Sequence, residues 1–145
     1  MKDQVEFEVL EGLSKDFMPS CKTKLSAGLD VCSTKDVVLM PGRCAKIGVG
    51  VKIKSIPSHL YLELEIRSGK RFNNLLSSLG TGVIDGDFTD EIQMLVYNFG
   101  GIITIKKGDR VGQLIIKENL TQKYASKYCL NTERDGGFGS TDKNN

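Results

Sequence analysis

The sequence predicts an all-β fold, a sandwich or barrel of short strands in one domain. Apolar and polar residues alternate with a period of two along two stretches. Ile47, Val49, Val51 and Ile53 alternate with Lys46, Gly48, Gly50 and Lys52; Leu60, Leu62, Leu64 and Ile66 alternate with Tyr61, Glu63, Glu65 and Arg67. Turn formers interrupt the chain at short intervals, at Pro41-Gly42, Gly100-Gly101 and Lys107-Gly108-Asp109. A length of 145 residues suits a single core.

Shorter strands are expected at 5–9, 36–40, 91–97, 102–106 and 111–117, each an apolar run flanked by turn residues. One segment follows another period. Phe72, Leu75, Leu76 and Leu79 fall at i, i+3, i+4 and i+7 and Gly80 follows, which predicts a short amphipathic helix with a glycine stop. Residues 1–130 form the expected β domain. Residues 131–145 are polar and glycine-rich with Phe138 as the one large apolar side chain, the composition of a chain terminus with little to bury.

Composition excludes several function classes. Lys and Arg total 20 against 18 Asp and Glu, too balanced for a protein held on nucleic acid by bulk charge, although a local basic pocket stays open. No apolar run approaches the ~20 residues of a membrane span. The first ten residues carry Asp3, Glu6 and Glu8 and no apolar signal stretch. Cys21, Cys32, Cys44 and Cys129 are widely spaced and form no zinc-ligand pair, so free thiols in an intracellular, reducing compartment, cytoplasm or nucleus, are expected. The single histidine, His59 after Pro57, reads as a surface loop residue. A Ser-His-Asp triad would have to use that one residue, so catalysis is expected from carboxylates, arginines, glutamines and backbone groups.

Five segments carry candidate chemistry: Ala27-Gly28-Leu29-Asp30, Arg67-Ser68-Gly69, Gly82-Val83-Ile84-Asp85-Gly86-Asp87-Phe88, Gly108-Asp109-Arg110-Val111-Gly112-Gln113-Leu114, and Gly136-Gly137-Phe138-Gly139-Ser140-Thr141. The last offers backbone N–H groups and two hydroxyls to a phosphate. Arg67, Arg110 and Arg134 supply guanidinium forks for phosphate oxygens. Asp30 suits a hydrated Mg²⁺, an ion that takes few protein ligands beside phosphates and waters. Asp85, at a glycine-rich turn, can activate a water. Phe88 and Phe138 can stack on a base or sugar. Together these residue types suit a nucleoside triphosphate and hydrolysis at phosphorus.

In this order, the five segments resemble the signature motifs of trimeric deoxyuridine triphosphatases (dUTPases), over about residues 20–143. The resemblance implies a jelly-roll-like homotrimer that needs Mg²⁺ and cuts dUTP to dUMP and pyrophosphate, with no stable nucleic acid partner and no membrane. It further implies sites shared between subunits. One chain would give the first, second and fourth segments, its neighbour the third, and the remaining chain residues 131–145 as an arm closing over the site. Asp85 matches the aspartate that orients the attacking water. Gly82, Val83 and Ile84, with a facing strand near Gln93, match a hairpin whose backbone reads uracil. Phe88 matches a ring packed under the deoxyribose. Arg67, Ser68 and Gly69 match a phosphate site; Asp30 and Gln113 match residues that hold waters around the metal and phosphates. Arg134, Gly139, Ser140 and Thr141 match a γ-phosphate clamp, and Phe138 a ring over the base.

The sequence departs from the family pattern at Ile66, Lys70, Arg71, Asp90, Asp135 and Asp142, and the Arg134-to-Phe138 spacing is one residue short. The changes in residues 131–145 favour an alternative in which the same fold serves binding or signalling with weak or no hydrolysis.

Overall fold

The structure is a computed structural model that describes residues 3–67, 69, 72, 75–77 and 80–130, with 75–77 described by backbone alone. Among these residues eleven strands run in chain order: β1 (Glu6–Val9), β2 (Gly28–Cys32), β3 (Val37–Leu39), β4 (Cys44–Gly48), β5 (Val51–Ser55), β6 (Leu60–Ile66), β7 (Leu75–Ser77), β8 (Gly82–Ile84), β9 (Gln93–Asn98), β10 (Ile103–Ile105) and β11 (Arg110–Glu118). A short helix, α1 (Leu120–Tyr124), follows. The strands form a four-stranded sheet β2-β11-β6-β8, a three-stranded sheet β4-β9-β7, and the pairs β1-β5 and β3-β10. Every ladder is antiparallel.

One apolar core joins the sheets. Val31, Leu62, Leu64, Ile84 and Leu114 come from the four-stranded sheet, Ile47, Met94 and Val96 from the three-stranded sheet, and Leu39, Ile103 and Ile105 from the β3-β10 pair. Burial alternates along β6 as the sequence pattern requires, with Leu62 and Leu64 buried between less buried neighbours. The two large sheets approach closely at Gly112. A Cβ there would lie 2.5 Å from Met94 Sδ on β9 and 3.0 Å from the Glu65 carbonyl on β6.

Two expectations are corrected. The run from Ile47 to Ile53 is not one strand. β4 pairs with β9 and β5 with β1, and the chain turns between them at Gly50, whose φ of 75° is open to glycine at no steric cost. The side-chain alternation survives the bend, which is why it reads as continuous. The expected helix at 72–79 is overturned by strand β7, which pairs with β9 through Leu75↔Asn98, Leu76↔Tyr97 and Ser77↔Val96. A long-range ladder here overrides a local apolar spacing; Leu79 lies outside the described residues. Strand β2 and helix α1 were not anticipated as elements, and β8 was expected only as one arm of a hairpin. Among the described residues no helix is long and apolar enough to cross a membrane. All four cysteines are free, and His59 is an exposed loop residue whose carbonyl accepts from Asn119 N at 2.7 Å.

Candidate active site

The four-stranded sheet gathers four of the five segments. Gly28, Leu29 and Asp30 lie on β2, Arg67 and Gly69 follow β6, Gly82 to Ile84 are β8, and the fourth segment enters β11. Ser68 and the whole fifth segment, with Arg134, Phe138, Gly139, Ser140 and Thr141, lie outside the described residues.

Strand register brings Asp30 opposite Gln113. The Gln113 side chain lies over Gly28, where a Cβ would collide with its Oε1; glycine at 28 thus makes room for the carboxamide. Arg67, just past the end of β6, donates from Nε to Asp30 Oδ1 at 3.1 Å. Arg110 Nη1 lies 3.9 Å from Asp30 Oδ2. Asp30 is the most enclosed member, its side chain 13% exposed against 29% for Arg67 and 44% for Arg110. Asp30, Arg67 and Gln113 line a recess of about 240 Å³ with Gly28, Ser26 and Lys22.

A bulge in β11 sets the orientation of Arg110. Gly112 pairs with Val31, but the next partner, Cys32, faces Arg110 rather than Val111. The extra residue, Val111, is buried beside buried Gly112, breaking the alternation. In a regular strand Val111 would pair with Cys32 and Arg110 would turn to the core; with the bulge, Arg110 shares the outer face with Gln113 and Asp30.

The third segment lies on the far edge of the sheet. β8 pairs with β6 through Leu62↔Ile84, Glu63↔Val83 and Leu64↔Gly82. It is the outermost strand, so one side of its backbone has no strand partner among the described residues. The chain then turns, with Phe88 N donating to Asp85 O at 3.1 Å. Asp85 is exposed and Phe88 is buried in the core cluster. The expected facing strand is corrected: Gln93 belongs to β9 and pairs with Gly48, so β8 and Gln93 lie in different sheets.

Cys32, opposite Arg110, lies beside this cluster on the same sheet face. Burial pushes its thiol above the ordinary value, against the lowering pull of Arg110. The sequence reading missed Lys22 and Ser26 as recess residues. Their one signal was proximity to Ala27-Gly28.

The fold and recess define a class: an all-β protein whose outer sheet face carries two guanidinium groups and a lysine around one carboxylate, a site suited to an anionic, phosphate-bearing ligand. The dUTPase family model matches residues 15–142. A deoxyuridine 5'-triphosphate nucleotidohydrolase of Ehrlichia canis is 37% identical over 132 residues, covering 86% of this chain and 86% of that protein. The Zymomonas mobilis protein of that name is 32% identical, covering 97% and 99%. Among solved structures, the Staphylococcus bacteriophage 80alpha dUTPase with dUpNHpp superposes with TM-score 0.72 at 25% identity, covering 95% of this chain and 98% of that one. The Streptococcus mutans dUTPase gives 0.70 at 23% identity, covering 77% and 94%, a likeness of fold. The chain belongs to the dUTPase family.

Proposed function

We propose that this protein hydrolyses dUTP to dUMP and pyrophosphate by water attack at the α-phosphorus, as a homotrimer that uses Mg²⁺. The observation that carries the reading is the convergence of Asp30, Arg67 and Gln113, from three separate segments, on one recess in a chain of this family.

In this reading Arg67, Ser68 and Gly69 grip the triphosphate, with Gln113 beside them. Backbone groups of Gly82, Val83 and Ile84 read the uracil edge; the side of β8 that has no strand partner among the described residues supports this. Phe88 forms the floor under the deoxyribose and leaves no room for a 2′-OH. Asp85 aligns the attacking water and takes its proton. Arg134, Gly139, Ser140 and Thr141 hold the γ-phosphate, and Phe138 covers the base. Residues 131–145 act as the arm that brings these groups to a neighbouring site. Positioning and electrostatics then account for most of the rate enhancement.

The donors fit Mg²⁺. Asp30 and Gln113 present hard oxygen atoms, and no cluster of three or more His, Cys, Asp or Glu occurs among the described residues. An ion held here must rely chiefly on phosphates and water, which is the habit of Mg²⁺. When bound it neutralises charge on the phosphates and the departing pyrophosphate. Asp30 would hold it through water, while its contact with Arg67 keeps the carboxylate turned into the recess.

Pyrophosphate release from dUTP, UTP, dTTP and dCTP with Mg²⁺ tests the reading. Release from dUTP alone is expected. No release from dUTP, with the nucleotide still bound, would favour the binding protein of the same fold.

A further inference from the structure

We infer that Lys22 is an additional binding residue for the distal phosphates, supplied by the loop before β2. This rests on the recess being the phosphate end of the site proposed above.

Two facts place Lys22 there. First, Lys22 lines the recess with Asp30, Arg67 and Gln113. Second, the loop that carries it is tied on both sides. Ser20 and Asp30 exchange backbone hydrogen bonds of 3.3 and 2.8 Å, closing the loop at its base. Cys21 Sγ lies 3.7 Å from the Gly28 carbonyl. Thr23 N donates to Ser26 Oγ at 3.1 Å, and the two hydroxyls are 2.9 Å apart. Lys22 lies between the tied residues Cys21 and Thr23, so its backbone enters the recess rim with little left to order when ligand arrives.

Charge points to the occupant. Asp30 is engaged by Arg67 and lies near Arg110. Lys22 has no ion pair among the described residues. The recess is therefore lined by two cationic groups against one carboxylate, with Arg110 beside that carboxylate, an excess that a polyphosphate would balance. A lysine on a flexible stem contributes a point charge rather than a fork, so arginine should substitute for it in part. The neighbouring Lys24 does not line the recess, although it lies in the same loop.

The test compares Lys22→Ala, Lys22→Arg and Lys24→Ala with the wild type, by steady-state hydrolysis of dUTP and by calorimetric binding of inorganic tripolyphosphate and of dUMP. Lys22→Ala should raise KM for dUTP and weaken tripolyphosphate binding about fivefold to tenfold, as loss of one partly screened charged hydrogen bond does. Its kcat should stay within about twofold, because the contact is made before and during reaction alike. Affinity for dUMP, which lacks the distal phosphates, should not change. Lys22→Arg should recover most of the loss and Lys24→Ala should show none. Unchanged tripolyphosphate binding in Lys22→Ala would overturn the inference, as would equal losses for dUMP, which would mark a disturbed loop. Should the wild type not turn over dUTP, the proposed function fails, while tripolyphosphate binding still decides the role of Lys22.

Discussion

Asp85 and Arg67 stand at opposite ends of β6. The ladder sets Ile84 opposite Leu62, which carries Asp85 to the level of Tyr61, while Arg67 follows Ile66 at the other end. Six residue steps separate those levels, roughly 20 Å at ~3.3 Å per step. The proposed water-activating group and the proposed phosphate grip of one chain are thus too far apart to serve one triphosphate. The proposed site becomes complete only when a second copy brings its own Asp85 to this chain's recess.

Mixing experiments follow from that separation. Chains carrying Asp85→Asn and chains carrying Phe138→Ala with Ser140→Ala, unfolded and refolded together, should regain activity above the sum of the parents. Some heterotrimers would then hold a site with an intact Asp85 and an intact C-terminal segment. A mixture no better than its parents would show that each site is built within one chain.

Asp85→Asn alone should bind dUTP and lose most of kcat, about 10²–10⁴-fold for removal of a general base. Asparagine serves a turn as well as aspartate does. A kcat within a few fold of wild type would therefore assign Asp85 to the turn that closes on Phe88 N and to nothing more.

Arg67→Lys tests the fork. The Nε–H donates to Asp30 Oδ1 at 3.1 Å, which leaves the terminal nitrogens for phosphate. Lysine keeps the charge but cannot do both. We expect kcat/KM for dUTP to fall about 10–100-fold, the worth of one to two charge-assisted hydrogen bonds. Full activity in Arg67→Lys would mean that charge alone matters at this position.

The strands were legible in the sequence where one face is buried and the other is not. β6 was plain because Leu62 and Leu64 are buried and their neighbours less so. The bend at Gly50 was hidden because side-chain alternation runs through it unbroken. Strand β7 was mistaken for a helix because Leu75 and Leu76, with Phe72 and Leu79, fit a helical spacing in the sequence, whereas the β7 partner Asn98 is distant in sequence. In the site, Asp30, Arg67 and Gln113 were found through the segments that carry them. The aim of Arg110 was not legible, since it depends on a bulge one residue wide. Nor was Lys22, a loop residue whose meaning comes from the walls it meets.

Gly50→Ala probes the bend. A Cβ there would meet Leu13 Cδ1 at 2.7 Å and Thr34 Cγ2 at 2.9 Å, in a backbone conformation that L side chains rarely adopt. Strain and crowding together should cost about 2–4 kcal/mol. Urea denaturation should show a lowered midpoint with an unchanged slope. An unchanged midpoint would mean that β4 and β5 tolerate a straighter connection.

Thiol chemistry probes the edge of the cluster. Cys21, Cys44 and Cys129 are exposed, while Cys32 is partly buried with its thiol pushed up by desolvation. A raised value leaves less thiolate at any pH below it, so Cys32 should react last with a disulfide reagent at pH ~8, and its lag should shrink as pH rises. Equal rates for all four thiols would show that the region between β2 and β11 opens freely.

The most direct test of the central claim is hydrolysis of dUTP with Mg²⁺ in heavy-oxygen water, read by mass spectrometry of both products. Attack at the α-phosphorus should place one heavy oxygen in dUMP and none in pyrophosphate, with UTP left uncut under the same conditions. Label in pyrophosphate, release of inorganic phosphate instead, or equal cleavage of UTP would contradict it.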